Sequence, residues 1–117
     1  VDPFNPKVVR GASGALFQMP FVLNLTYDQA VSECKNHKLN VVALSPVATT
    51  SLDQVDLKNA CALVFGNEGN GLNKSSQDLA DIKAFIPMNK ASESLNVASS
   101  CAMALYETSR QRGWNYV

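Results

Sequence analysis

Apolar residues along the 117-residue chain alternate between helical spacing and short continuous runs. Positions that recur every three or four residues predict helices, and short unbroken apolar runs predict strands. In chain order, the pattern predicts helix 6–17, strand 21–25, helix 26–39, strand 40–44, strand 60–65, a short helix at about 75–80, strand 83–88 and helix 94–112. Strands and helices that alternate in this way are typical of an α/β fold with a parallel sheet flanked by helices.

The starts of the first two helices have local support in the sequence. Pro6 falls in the first turn of the first helix, where its missing N–H costs nothing, although Gly11 and Gly14 weaken the rest of that helix. Thr26 and Gln29 have the spacing of a capping box, in which two side chains satisfy free backbone amides. The second helix is therefore predicted to begin at this box.

Two loops follow predicted strands and are candidates for a binding site. The run at 60–65 is apolar without alternation, as expected for a strand buried on both faces of a parallel sheet. Loop 66–72 follows this strand, and loop 89–96 follows the strand at 83–88. These two strands could be neighbours in the sheet. Ligands of open parallel sheets bind beyond the carboxyl ends of the strands. We therefore expect the two loops to form the site.

Composition indicates a single globular domain and narrows the chemistry. The net charge is zero, so charge alone does not suggest a nucleic-acid binder; a basic surface would have to come from a local patch, further sequence or a second subunit. Cys34, Cys61 and Cys101 lie far apart in apolar patterns, which predicts reduced, buried thiols. The single histidine, His37, can form neither a zinc cluster nor a catalytic triad. The sequence has no signal-peptide pattern, and we expect a cytoplasmic location, or an organelle if the source is eukaryotic.

The segment VFGNEGNGL, residues 64–72, is the clearest chemical feature. Its glycines run G-x-x-G-x-G, the reverse of the dinucleotide fingerprint, and Gly71 is not adjacent to Lys74 as a phosphate loop requires. The carboxylate of Glu68 would also repel a phosphate. The segment is therefore either a loop that holds a ligand without phosphate or a surface turn whose glycines supply positive φ.

Three further segments, taken together with this loop, resemble the motifs of a known family. VFGNEGNGL, IPM at 86–88 and SLNVASSCAMALYE at 94–107 together resemble motifs 2 and 3 of the SpoU (TrmH-type) RNA ribose methyltransferases of the SPOUT superfamily. DPFNPKVVRGASGALFQMPF at 2–21 is similar to the stretch that follows the family's first motif. The resemblance implies that residues 1–117 are a partial SpoU catalytic domain, whose C-terminal part forms a trefoil knot from Val64 onward.

Members of this family transfer a methyl group from S-adenosylmethionine to a ribose 2′-hydroxyl of RNA. The resemblance therefore implies S-adenosylmethionine as cofactor, no metal, and ribosomal or transfer RNA as partner. The cofactor-lining residues implied by the match are Phe65, Gly66, Asn67, Gly69, Ile86, Met88 and Leu95. The alternative function is a non-catalytic domain of the same fold that binds cofactor or RNA without turnover.

The match also implies roles for five polar residues. Glu68, Ser94 and Asn96 would order the substrate ribose and the catalytic arginine. Arg10 and Ser13 would lie near the cleft and contact RNA. Simpler interpretations are an exposed loop acid for Glu68, a helix N-cap for Ser94 and a polar first-turn residue for Asn96. Arg10 could instead be a surface arginine paired with an acid.

The catalytic arginine of the family belongs to its first motif, N-x-G-x-x-x-R. Asn5 and Arg10 are one position too close for this pattern, and Lys7 stands where the glycine should be. We therefore expect the first motif upstream of Val1, and the chain to be roughly the last two-thirds to three-quarters of the catalytic domain. Little turnover is expected from the 117-residue chain alone.

The last predicted helix is rich in small residues, which permit close packing of helices. They are Ala98, Ser99, Ser100, Cys101, Ala102 and Ala104. The resemblance implies a homodimer through this helix, with Leu105, Tyr106 and Trp114 adding larger contacts. The alternative is a helix buried within one subunit.

Overall fold

The computed structural model describes residues 2–66, 78–89 and 96–115. Its helices are α1 (Pro6–Gly11), α2 (Tyr27–Asn36) and α3 (Val97–Gln111). Its strands are β1 (Asn40–Leu44), β2 (Cys61–Val64) and β3 (Ile82–Ala84), and two short 3-10 turns span Ala15–Phe17 and Leu52–Gln54. Residues 75–77 of the helix predicted at 75–80 and much of the predicted knot lie outside the described residues.

The described strands form one parallel sheet in the order β2-β1-β3. Asn40 to Ala43 of β1 pair with Cys61 to Val64, and Val42 to Leu44 pair with Ile82 to Ala84. This confirms the predicted α/β fold with a parallel sheet. The expectation that the strands before the two loops are neighbours is wrong, because β1 lies between β2 and β3 in the described sheet.

The core lies on both faces of β1. Val42 belongs to a buried cluster with Leu57 and with Ala104 of α3, and none of these three side chains is exposed to solvent. Val41 and Ala43 point to the opposite face, since side chains alternate along a strand, and α2 packs against this strand with Val31 buried. Burial on both faces, predicted for the run at 60–65, is complete for β1, whereas β2 is half-buried.

The predicted helix 6–17 is interrupted. Asn5 caps α1 by accepting a hydrogen bond from the Lys7 amide, and a proline follows the cap as predicted. The helix ends at Gly11 because Ser13 and Gly14 adopt left-handed φ angles of 51° and 86°. A left-handed residue cannot continue a right-handed helix, so the chain resumes as the 3-10 turn Ala15–Phe17.

The predicted strand 21–25 is wrong. Residues 21–25 form neither a strand nor a helix, and Asn24 has a φ of 61° that breaks the extended conformation. The apolar run has the composition of a strand, but no described strand pairs with it. Its large side chains are therefore exposed.

The capping box of α2 is confirmed: Thr26 accepts from the Gln29 amide at 3.1 Å, and the Gln29 side chain accepts from the Thr26 amide at 2.9 Å. The helix ends at Asn36, earlier than predicted. Lys38 is left-handed, with a φ of 59°, and the Leu39 amide donates to the Cys34 carbonyl at 2.8 Å. This is a Schellman ending with lysine in the position usually held by glycine.

Cys34, Cys61 and Cys101 are all free thiols, and each is half-buried rather than fully buried as predicted. Burial raises the pKa of the Cys61 thiol, which keeps it protonated and unreactive at neutral pH. No helix in the described ranges is long and apolar enough to cross a membrane.

Candidate ligand-binding site

The carboxyl ends of β1, β2 and β3 lie at one edge of the sheet, since all three strands are parallel. Leu44 pairs with Ala84, and Ala43 pairs with Val64, so the three strands end at nearly the same level. The chain therefore leaves the sheet at Ser45, at 65–66 and at 85–88 along the same edge. Parallel sheets bind ligands at this edge, and Phe65, Gly66, Ile86 and Met88 of the predicted site follow the strands there.

Apolar side chains form the base of this edge. Phe65 and Ile86 are half-buried and pack against the core cluster of Val42, Leu57 and Ala104. Gly66 is half-buried, and Met88 is 37% exposed. These four are the described members of the predicted cofactor-lining set. Their anchoring to the core gives a ligand a preformed apolar support.

Ser45 is a site residue that the sequence analysis did not single out. Within the described ranges it is the one buried polar residue, with 4% of its surface exposed. Its amide donates to the Ala84 carbonyl at 2.9 Å, and its hydroxyl oxygen accepts from the Val47 amide at 3.3 Å. Ser45 thus joins the ends of β1 and β3. A polar residue directly after a predicted buried strand was the available signal.

The loop after Ser45 returns to the sheet. The Phe85 amide donates to the Thr50 carbonyl, and the Leu52 amide donates to the Phe85 carbonyl, each at 2.9 Å. Residues 46–49 therefore leave the sheet at its carboxyl edge and rejoin it beside the continuation of β3. Because neighbouring residues of a strand direct their backbone groups to opposite sides, residues 50–52 lie on the side of β3 away from β1.

Asn96 is the N-cap of α3. Its side-chain oxygen accepts a hydrogen bond from the Ser99 amide at 3.1 Å. The cap of this helix is thus Asn96 and not Ser94, because the helix begins at Val97, later than predicted. The Asn96 side chain is exposed, and its amide nitrogen has no partner within the part of the chain that the structure describes. The nitrogen is available to donate to a ligand oxygen.

Arg10 and Ser13 lie on the turn that ends α1. The Ser13 amide donates to the Arg10 carbonyl at 3.2 Å, and both residues are exposed. Arg10 forms no ion pair with a described acid, so nothing in these ranges supports a surface arginine paired with an acid. No described hydrogen bond connects this turn with the carboxyl edge of the sheet.

The remaining predicted site residues lie outside the described ranges: Asn67, Glu68, Gly69, Ser94 and Leu95. The described edge segments, Ser45 and residues 65–66 and 85–88, carry no ionisable side chain. Among the described residues there is no group of three metal-ligating side chains. The described edge therefore supplies apolar surface and a buried hydroxyl, which suit a ligand with an apolar ring.

A parallel sheet flanked by helices defines an α/β protein. Residues 1–106 match the SpoU rRNA Methylase family, and the chain belongs to this family.

Individual relatives agree with this assignment. The chain is 33% identical over 107 residues to the 23S rRNA (guanosine-2'-O-)-methyltransferase RlmB of Coxiella burnetii, covering 92% of this chain and 43% of the relative. Among solved structures, an RNA 2'-O ribose methyltransferase has 33% identity and a TM-score of 0.85, covering 96% of this chain and 43% of that chain. The SpoU methyltransferase AviRb from Streptomyces viridochromogenes, in complex with AdoMet, has 28% identity and a TM-score of 0.90, covering 98% and 47%. The chain thus spans less than half the length of these relatives.

Proposed function

We propose that the chain forms the S-adenosylmethionine-binding part of an RNA ribose 2′-O-methyltransferase. The observation that carries the proposal is the placement of 65–66 and 86–88, both parts of the family motifs, at the same edge of the sheet, where Phe65 and Ile86 pack on one core cluster. The overlay with AviRb, a structure in complex with AdoMet, supports it because it covers 98% of this chain.

The chemistry of the edge fits this ligand. S-adenosylmethionine supplies an electrophilic methyl group on a cationic sulfonium, and it has no phosphate. Phe65, Ile86 and Met88 offer apolar surface to its adenine, and Gly66 lets the backbone approach closely. Asn67, Gly69 and Leu95 complete the proposed lining. The buried hydroxyl of Ser45 lies between the two segments and donates to the ligand in this arrangement.

The reaction needs a ribose hydroxyl aligned with the methyl carbon and a route for its proton. We assign Glu68, Ser94 and Asn96 to the alignment of the ribose and of an arginine supplied from outside this chain. The free amide nitrogen of Asn96 is suited to donate to a ribose oxygen. Arg10, exposed and without a described acidic partner, is suited to hold an RNA phosphate beside Ser13.

The RNA and its cellular setting are also proposals. The relative from Coxiella burnetii acts on a guanosine of 23S rRNA, which makes ribosomal RNA the first substrate to test and transfer RNA the second. The proposed location is the cytoplasm, or an organelle if the source is eukaryotic. The trefoil knot is proposed for the segment from Val64 onward.

A homodimer through α3 is proposed from the outer face of that helix. Ala104 is completely buried against the sheet, whereas Ala98, Ala102 and Leu105 are exposed at helical spacing on another face. Small and apolar side chains at this spacing allow a second helix to approach closely. Tyr106 packs edge-on against Trp114, with ring centroids 5.2 Å apart, beside this face.

Sedimentation of the chain and of Ala102→Arg tests the dimer. The variant is expected to lose the dimer, and a monomeric parent chain would contradict the proposal.

Calorimetry tests the function directly. We expect the chain to bind S-adenosylmethionine in preference to ATP, because the glycine order and Glu68 disfavour phosphate. Preference for ATP would overturn the assignment. The 117-residue chain should show little methyl transfer to ribosomal RNA, whereas the longer protein should be active. Robust transfer by this chain would show that the reaction does not need an arginine from outside it.

A further inference from the structure

The N-terminal part of the chain exposes an unusually large set of apolar side chains, here called the N-terminal apolar surface. Its members are Phe4, Phe17, Met19, Phe21, Val22, Leu23 and Leu25, each between 43% and 81% exposed. Phe4 and Phe21 are in contact, with ring centroids 5.9 Å apart, which joins the start of the chain to residues 17–25. Soluble proteins seldom leave this much contiguous apolar surface uncovered, so it marks an interface.

Part of the backbone in this surface also lacks hydrogen-bond partners. Residues 21–23 lie in neither a helix nor a strand, and within the described ranges no backbone amide or carbonyl of residues 21–25 makes a hydrogen bond. A segment with free backbone groups and apolar side chains can pair with another strand through both its backbone and its side chains. The left-handed φ of Asn24 limits regular pairing to residues 21–23. A strand is therefore the kind of partner that satisfies both the side chains and the backbone.

The lack of charged side chains in residues 17–25 argues against nucleic acid as the partner of this surface. Residues 17–25 contain no charged side chain, whereas RNA is held through its phosphates by cationic groups. A second copy of the chain already has a candidate interface on α3. The relatives provide the remaining candidate, because more than half of each has no counterpart in this chain: the chain covers 43% of RlmB from Coxiella burnetii and 47% of AviRb.

We propose that a β-strand from the part of the same protein outside these 117 residues pairs with residues 21–23 and buries the N-terminal apolar surface. The sheet is thereby extended beyond its described strands, and the turn that carries Arg10 and Ser13 is held against it through the Phe4–Phe21 contact. The proposal concerns the completion of the fold and does not rest on methyl transfer.

Hydrogen exchange tests the pairing. The amides of residues 21–23 should exchange rapidly in the 117-residue chain and slowly in the longer protein, without RNA and at any protein concentration. Fast exchange in the longer protein would overturn the proposal. Protection that needs RNA would identify a nucleic-acid surface instead, and protection that is lost on dilution would identify a second copy. A gene that encodes no further residues would also overturn it.

A matched pair of variants tests the burial of the side chains. Val22 is 74% exposed and Val47 is 77% exposed, so Val22→Asp and Val47→Asp should both be tolerated by the 117-residue chain. In the longer protein, Val22→Asp places a carboxylate in an apolar interface and should lower the Tm by roughly 5 °C or more, whereas Val47→Asp should not. Equal effects in the longer protein would contradict the proposal.

Discussion

The side-chain oxygen of Gln111 accepts a 2.8 Å hydrogen bond from the backbone amide of Leu57, a residue with no exposed surface. The amide nitrogen of the same glutamine donates to the Val55 carbonyl at 2.9 Å. Arg112 continues the contact, donating to the carbonyls of Leu57 and Asn59 at 2.9 Å each. The end of α3 thus satisfies the irregular backbone that leads into β2, and it fixes the helix capped by Asn96 relative to the strand that precedes Phe65.

Replacement of Gln111 should be costly for stability. Gln111→Leu leaves the Leu57 amide and the Val55 carbonyl without their partners, and we expect a loss of about 2–3 kcal/mol in the free energy of unfolding. Urea denaturation measures the loss. Gln54→Leu is the control, because exposed Gln54 makes its side-chain hydrogen bond only to Asp53 and should change stability by less than about 0.5 kcal/mol. Equal effects of the two changes would show that Gln111 does not support this segment.

Both α2 and α3 end in a Schellman motif. Introducing glycine in the first motif and removing it from the second should have opposite effects on stability. Lys38 and Gly113 occupy the same left-handed position, with φ angles of 59° and 62°, after α2 and α3. A side chain is strained there, so Lys38→Gly should stabilise the protein by about 0.5–1 kcal/mol, and Gly113→Ala should destabilise it by about 1 kcal/mol.

Thermal unfolding compares these variants with Lys35→Gly. Lys35 is the second-last residue of α2 and has a helical conformation, so glycine should cost up to about 1 kcal/mol there. A loss of stability in Lys38→Gly as large as that in Lys35→Gly would refute the conformational explanation for Lys38.

Glu107 makes stability depend on pH. Arg110 donates to both of its carboxylate oxygens at 2.7 and 2.8 Å, and these hydrogen bonds hold the pKa of Glu107 below its ordinary value of 4.5. Because folding lowers this pKa, the contribution is complete above the ordinary value and is lost as the pH falls through the folded value. Glu107 is only 16% exposed, and we expect a contribution of about 1 kcal/mol.

Glu107→Gln tests this titration. The variant should be less stable than the parent protein at pH 7, and the difference should shrink as the pH falls below 4.5, as measured by urea denaturation at each pH. A difference that stays constant with pH would indicate that the loss comes from packing and not from the carboxylate.

Local sequence patterns predicted what depends on local structure. The β1 run and the Thr26–Gln29 capping box were predictable because continuous apolar burial and helix capping involve neighbouring residues. The exposed run at 21–25 has the same composition as a strand, and periodicity does not report whether a partner strand is present. The bond between Leu57 and Gln111 joins positions 54 residues apart, and the place of Ser45 depends on the order of three strands. Neither could be predicted from a linear pattern.

Asn96 offers the sharpest test of the proposed chemistry, because its two amide atoms have separable roles. The oxygen caps α3, whereas the nitrogen has no described partner and is proposed to contact the ribose. Asn96→Asp keeps the capping oxygen and removes the donor, so stability should change by less than about 0.5 kcal/mol. Methyl transfer by the longer protein should nevertheless fall by at least about tenfold, equivalent to about 1.4 kcal/mol of transition-state stabilisation.

Asn96→Ala removes both atoms and provides the comparison. It should lose methyl transfer to a similar degree and also lose about 1 kcal/mol of stability, since alanine is a poor N-cap. Single-turnover methylation of ribosomal RNA and urea denaturation measure the two effects separately. If Asn96→Asp retained full activity while Asn96→Ala lost both activity and stability, the residue would act only as a helix cap, and the proposed contact with the ribose would be wrong.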